Sequence, residues 1–288
     1  MDMTTQQENI RTGSRRVRAA DIRRKARLVL DGRSVPQNRM TLILSLIVVL
    51  VTAVGVYMLS IGLYMVGYLI VGDALWLDIA TYGLMGLLAL LLVLPLASAT
   101  WRLACLMTVR STVSAMPSGL PVTAATPTLS EVFHPFTSLR AYGRTLVVGL
   151  ETLGWAILSV GLPLAGYRTL AGVFAQMANR GVHTSLCNLL TGVSLLLCLA
   201  FGVLMLFLSG LRAGFGYFVF IHDGISVSEV NRYFRGFRRG FVRPFVLRIS
   251  LAGWVALSVV AILVPFLLHT IPYGLCCGAV YAGELKRK

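Results

Sequence analysis

The chain has 288 residues, 57% of them hydrophobic and only 13% charged, and it carries a net charge of +15. A soluble domain has about 25% charged residues, so this composition excludes an ordinary water-facing surface and makes lipid the expected solvent. Ten of the 26 basic residues lie between Arg11 and Arg39 and run straight into an apolar stretch. Anionic lipid headgroups, rather than nucleic acid, are therefore the expected partner of that charge.

Residues 1-20 read as a disordered basic tail, polar and without periodicity as far as Ser14. A cleaved signal peptide is not expected, because a long charged stretch precedes the first apolar run. Residues 21-34 read as an amphipathic helix capped by Asp21. Ile22, Ala26, Val29 and Leu30 form its apolar face, while Arg23, Arg24, Lys25 and Arg27 form a headgroup-binding face. Such a helix is expected to lie in the plane of the headgroups.

A transmembrane domain is expected over 40-285. Met40 to Gly72 holds no charged residue and suits one tilted span, since about 20 residues cross a bilayer. Ile79 to Thr100 forms a second run, closed by Trp101 and Arg102. Ser111 to Pro127, with Pro117, Pro121 and Pro127, reads as a water-exposed connector. Leu146 to Leu164 is the third run, and Gly166 to Ser185, with Arg168 and Arg180, reads as a polar loop. The fourth run, Leu186 to Gly210, continues through Arg212 into the aromatic stretch Phe215 to Phe220.

Phe245 to Leu285 fits either one span with a trailing piece or two spans meeting near Pro265, His269 and Pro272, where proline breaks a helix. Basic residues gather on the cytoplasmic side. Six spans with the N-terminus inside place 24 basic residues inside and only Arg168 and Arg180 outside; five spans give 21 against five. Six is the preferred count.

Segments 128-221 and 226-285 resemble each other. Ser130-Glu131-Val132, Phe136, Arg140 and Gly154-Trp155 return as Ser228-Glu229-Val230, Phe234, Arg238 and Gly253-Trp254, offset by 98 and then 99 residues. Thr128-x-x-Glu131 and Ser226-x-x-Glu229 read as capping boxes. In the second copy Val230, Tyr233, Phe234, Phe237 and Phe241 line one helical face, with Arg232, Arg235, Arg238 and Arg239 opposite as further headgroup-binding residues. The 21-34 helix gives a third version of this basic helix before a hairpin. Three small-residue stretches, beginning at Pro95, Ser209 and Tyr273, are expected to be seams between helices.

An ionisable residue inside a span is a functional candidate. Glu151 and Arg248 fall at similar depth in repeat-related helices and are expected to form an intramembrane ion pair. Arg102 and Arg212 are expected to anchor at headgroups. The five cysteines and four histidines show no metal-ligand spacing, so no metal or cofactor is expected. Cys276–Cys277 is a vicinal pair for which a redox role is a weak alternative to packing. His222 beside Asp223 makes a lone pair. Neither H-E-x-x-H nor a Walker lysine loop occurs, and no catalytic residues are expected.

Ser226 to Tyr281 resembles a bacterial integral membrane family, domain of unknown function 975. The resemblance rests on Ser228, Gly236, Phe245-Val-Leu-Arg-Ile-Ser-Leu-Ala-Gly253-Trp254, Pro272-Tyr273 and Tyr281. Gly210-Leu-Arg212-Ala-Gly-Phe-Gly-Tyr217 and Asp21 to Gly32 are similar to earlier parts of the same family. The wider spacing from Gly236 to Phe245 and the long proline-rich loop depart from it. The resemblance implies a location in the bacterial plasma membrane and a helical fold, and no activity. Taken together, these readings predict an all-α polytopic bundle of about six spans, multi-pass, with a cytoplasmic N-terminus. Its expected function is non-enzymatic: a scaffold, an envelope accessory or a lipid-interacting module whose protein partners the sequence does not name. The alternative is a small transporter or channel subunit, which needs a polar cavity near mid-membrane.

Overall fold

Long apolar runs with few breakers must satisfy their backbone polar groups internally when lipid surrounds them, and a helix does so within one segment. The computed structural model describes residues 19–31, 37–72, 75–111, 127–181, 183–237, 240–260 and 266–285, and among these every regular element is a helix. The order is α1 (Ala19–Asp31), α2 (Asn38–Val71), α3 (Leu75–Leu88), α4 (Leu94–Ser111), a 3-10 helix (Leu129–Thr137), α5 (Leu139–Ala156), α6 (Leu162–Asn179), α7 (Thr184–Leu208), α8 (Phe215–Ile221), α9 (Val227–Arg235), α10 (Val242–Val260) and α11 (Ile271–Gly283). Single π-helical turns join α3 to α4 (Ala89–Val93) and α5 to α6 (Ile157–Gly161), and one leads into α11 (Phe266–Thr270). Such turns break the regular backbone bonding locally. In the first of them the Tyr142 hydroxyl donates to Leu91 O at 3.0 Å.

Four helical stretches are long and apolar enough to cross a membrane: Asn38–Val71, Leu75–Val109, Leu139–Asn179 and Thr184–Ile221. The segment from Gly166 to Asn179, expected as a loop, is helical instead. It holds no proline, and Leu170, Ala171, Ala175, Gln176, Met177 and Ala178 are good helix formers, as is Arg168 itself, so nothing in it ends the helix. Short connections make α2–α3 and α6–α7 antiparallel hairpins. Their outer faces are clad in exposed apolar side chains, such as Leu69 at 84% near the tip of the first and Leu196 at 68% midway along α7. In water such a surface would drive aggregation, whereas it matches hydrocarbon.

At the opposite end the packing changes character. Ile22, Ala26, Val29 and Leu30 of α1 are sealed against Leu103, Ala104 and Met107 of α4 and Tyr273, Cys276, Cys277 and Val280 of α11. A second cluster joins Phe215 to Ile221 of α8 to Val230 and Phe234 of α9, with Phe237, Cys105 and Val148. Trp101 is wedged between the two. A methyl built on Gly216 would stand 2.8 Å from its Nε1, and one on Gly278 would stand 2.8 Å from its Cη2. The small-residue stretches from Pro95 and Tyr273 are buried seams, with Ala99, Cys276 and Ala279 wholly inaccessible, whereas in the one from Ser209 only Ser209 and Gly210 are buried.

This arrangement corrects the expectation that the two basic helices rest their apolar faces in the lipid headgroup layer. Those faces are absorbed by the protein itself, because two interior surfaces of matching shape offer them close packing. Each fully buried Val, Leu or Ile contributes roughly 1.5–3 kcal/mol. The expected tail lies outside the described residues as far as residue 18, and Ala19 and Ala20 are already helical. The proline-rich connector likewise lies outside them from 112 to 126, and α1 ends at Asp31.

Candidate functional site

Two charged centres sit in the packed end. The first is built on Arg102 of α4 and Arg144 of α5, only 2% and 4% exposed. A buried guanidinium is tolerated only when paired and hydrogen-bonded. Arg102 donates to Glu131 and, at 3.4 Å, to Asp223. Arg144 donates to Asp223 Oδ1 at 2.7 Å, to Val219 O and His222 O at 3.1 Å each, and to Ile225 O. Two cations thus meet two carboxylates, and Arg144 also satisfies carbonyls at the end of α8. Arg140 adds a bond to Gly224 O at 3.0 Å. The centre ties α4, the 3-10 helix, α5 and the α8–α9 turn together.

His134 Nε2 lies 3.5 Å from Asp223 Oδ2. Its own burial, with Arg102 as the next cause, pushes the imidazole below its ordinary pKa against the pull of Asp223.

Glu131 explains why the first expected capping box is absent. Its carboxylate is committed to Arg102, while the Thr128 hydroxyl meets Ser130 instead of capping a backbone N–H. Pro135 stands where the repeat has Tyr233, and the first copy winds as a 3-10 helix. The second box forms in full: Ser226 Oγ accepts from Glu229 N at 3.3 Å, and the Ser226 amide donates to Glu229 Oε2 at 3.1 Å. The Ser226 amide first, and then the Ser226 hydroxyl, which donates to Glu229 Oε2 at 2.9 Å, hold the Glu229 carboxyl below the usual carboxylate range.

The second centre lines a cavity of about 720 Å³ between α4, α5, the end of α7, α10 and α11. Glu151 and Arg248 both face it, yet they do not pair. Glu151 Oε1 accepts from Arg212 Nε at 2.6 Å, Arg212 Nη1 donates to Asn231 Oδ1 at 2.8 Å, and the Arg212 guanidinium lies 4.2 Å from the Phe215 ring centre. Arg248 Nη1 instead donates to Leu206 O at 2.8 Å and to Ser209 Oγ. The reason is local: α7 ends in a 3-10 turn, Ser209–Arg212, and Gly214 turns the chain at φ +95°. That turn aims Arg212 at Glu151 and leaves the last carbonyls of α7 for Arg248. Arg102 and Arg212, expected at headgroups, are both engaged in internal pairs.

Of the expected headgroup-binding residues, Arg24, Lys25, Arg27, Arg232 and Arg235 are exposed on the outside of α1 and α9, and Arg23 is half-buried. Lys25 pairs with Glu284, and the Arg27 guanidinium sits 5.9 Å from the Tyr273 ring centre. Arg238 and Arg239 lie outside the described residues. Cys276 and Cys277 are inaccessible, and no cysteine among the described residues forms a disulfide. No group of three or more His, Cys, Asp or Glu among the described residues is arranged to hold a metal ion.

Sequence reasoning missed the Arg102–Arg144–Glu131–Asp223 centre. The available signal was scarcity: the chain holds only 11 acidic residues, and two arginines at the inner edges of apolar runs need partners. Compared with family models, with curated proteins and with solved structures, the chain matches none of them.

Proposed function

We propose that the protein is a non-enzymatic, lipid-interacting module of a bacterial plasma membrane. It crosses the bilayer six times, with its packed end, its N-terminus and its basic helices on the cytoplasmic side. In this reading α10 and the stretch through α11 supply the last two spans. The observation that carries it is the sorting of surfaces. Hydrocarbon-like side chains such as Leu69, Ile70, Leu196 and Leu197 clothe the hairpins, and exposed Arg24, Lys25, Arg27, Arg232 and Arg235 ring the packed end. A basic rim just outside a bilayer attracts anionic lipid at about 1 kcal/mol per cation. The bacterial location draws on the likeness of Ser226 to Tyr281 to the domain of unknown function 975.

The test is lipid composition. Protein purified in a mild detergent is expected to carry anionic phospholipid enriched over the host membrane. Changing Arg24, Lys25 and Arg27 together to Gln is expected to bring the ratio down toward the host's. Equal ratios in the wild type and the triple variant would refute the proposal.

A second reading, a small transporter or channel subunit, draws on the cavity. Glu151 and Arg212 are spent on each other there, which favours the lipid-interacting reading over ion passage.

A further inference from the structure

We infer that the cavity beside Arg248 is a binding site for one anionic phospholipid, whose phosphate is held by the Arg248 guanidinium and whose acyl chains leave along an apolar wall. This deepens the lipid-interacting reading and rests on it. Three observations carry it.

The first is charge. Within the cavity Glu151 neutralises Arg212 at 2.6 Å. Arg248 has no carboxylate within ion-pair range among the described residues; its bonds go to the neutral Leu206 carbonyl and the Ser209 hydroxyl, both from Nη1. The cavity therefore holds one net positive charge. A cation removed from water without a counter-ion is costly, and an anionic ligand relieves that cost.

The second is geometry. A guanidinium carries five N–H donors. Two of them, on Nη1, are fixed against the end of α7, which locks the orientation of the plane. The three on Nε and Nη2 meet no acceptor among the described residues, and Arg248 is only half-buried. That free edge is the fork that recognises two oxygens of one phosphate.

The third is the wall. The volume, about 720 Å³, lies within the range of small-molecule sites, about 300–1,000 Å³. Leu94, Leu153, Val160, Leu251 and Leu275 line it. Leu153 and Val160, which line it, stay 39% and 64% exposed, so the cavity offers an accessible apolar wall. A small hydrophilic anion would leave this wall wet. A phospholipid covers it with chains while its phosphate reaches Arg248.

The test uses the full-length protein in a neutral detergent, titrated separately with phosphatidylglycerol, phosphatidylcholine and inorganic phosphate. Binding is read as lipid adducts by native mass spectrometry and as a shift in melting temperature. Phosphatidylglycerol is expected to bind one saturable site, with phosphatidylcholine and inorganic phosphate weaker by about tenfold or more. Arg248→Gln is expected to weaken phosphatidylglycerol by about tenfold or more, the worth of a charge-assisted hydrogen bond, and Arg248→Lys by less. Ala156→Trp, which fills the cavity without altering any charge, is expected to abolish the saturable site, and it decides the matter should Arg248→Gln lose its melting transition. The Arg24, Lys25, Arg27 triple variant is expected to keep the site while losing total anionic lipid, so failure of the rim and failure of the cavity are read separately. Unchanged phosphatidylglycerol binding in folded Arg248→Gln or in Ala156→Trp would overturn the inference. Equal binding of phosphatidylcholine or inorganic phosphate would do the same.

Discussion

The two ends of the bundle solve the same problem of burial in opposite ways. Along the hairpins α2–α3 and α6–α7, leucines and isoleucines such as Leu69, Ile70, Leu189 and Leu196 remain exposed by half or more, and the surroundings cover them. At the other end the chain covers itself, with α1, α8, α9 and α11 closing over α4 so that Arg102, Phe234, Met107 and His222 are almost wholly inaccessible. The difference teaches where specificity resides. Lipid-facing leucines are interchangeable, because hydrocarbon has no shape to match. The self-covered end depends on particular partners, with two buried cations against two carboxylates and one indole against two glycines.

That contrast is broken most severely by disturbing the buried charges. Asp223→Asn removes a carboxylate that both Arg102 and Arg144 use. Breaking a buried pair from one side costs about 3–5 kcal/mol, and since Asp223 is 27% exposed the lower end of that range is expected. Chemical unfolding in micelles measures it; a loss under about 1 kcal/mol would place the centre among surface pairs.

Gly216→Ala comes next. Its methyl would stand 2.8 Å from Trp101 Nε1 and 2.9 Å from Val148 Cγ1. Overpacking of this kind costs about 1–3 kcal/mol, read as a lower melting temperature with a red-shifted tryptophan emission. A smaller effect separates the two repeat copies. Ser226→Ala removes a formed cap and is expected to cost about 1 kcal/mol. Thr128→Ala is expected to cost almost nothing, since its hydroxyl caps no backbone N–H. Equal losses would restore the symmetry that the sequence suggests.

Acid gives the smallest effect. The Glu229 carboxyl is held below its ordinary range by Ser226, so its contribution is full above the unfolded carboxylate pKa. It is lost as the pH falls through the lower folded value. The melting difference between wild type and Glu229→Gln is therefore expected to be largest near neutrality and to narrow under acid. A difference that grows on acidification would reverse the assignment.

Much of the architecture was legible because lipid solvent leaves a plain mark. The uncharged run from Met40 to Gly72 became a helix within two residues of its expected ends, and the Leu-rich run after Ile79 became helical from Leu75, continuing past Trp101 and Arg102 to Ser111. The small-residue seams were legible for the same reason, since only small side chains let helices approach. What the periodicity of α1 and α9 did not contain was the identity of the surface that receives their apolar faces: hydrocarbon and a protein interior select the same residues. The charged centre was hidden by distance along the chain. Arg102 finds Asp223 121 residues away, and only the turn after α8 brings them together. Glu151 was recognised as a candidate, but its partner depends on the turn at Gly214, which reorients Arg212.

The most direct measurement compares two apolar truncations in one experiment: reversible unfolding of Ile22→Ala, on the covered face of α1, and of Leu196→Ala, on the outer face of α7, in the same micelles. Ile22 is 2% exposed and Leu196 68%. The expected result is a loss of about 2–5 kcal/mol for Ile22→Ala, as for a packed core position, and a change within about 0.5 kcal/mol for Leu196→Ala, as for a surface position. Wild-type unfolding of Ile22→Ala, with only its membrane partitioning weakened, would show α1 resting on lipid and would contradict the self-covered end.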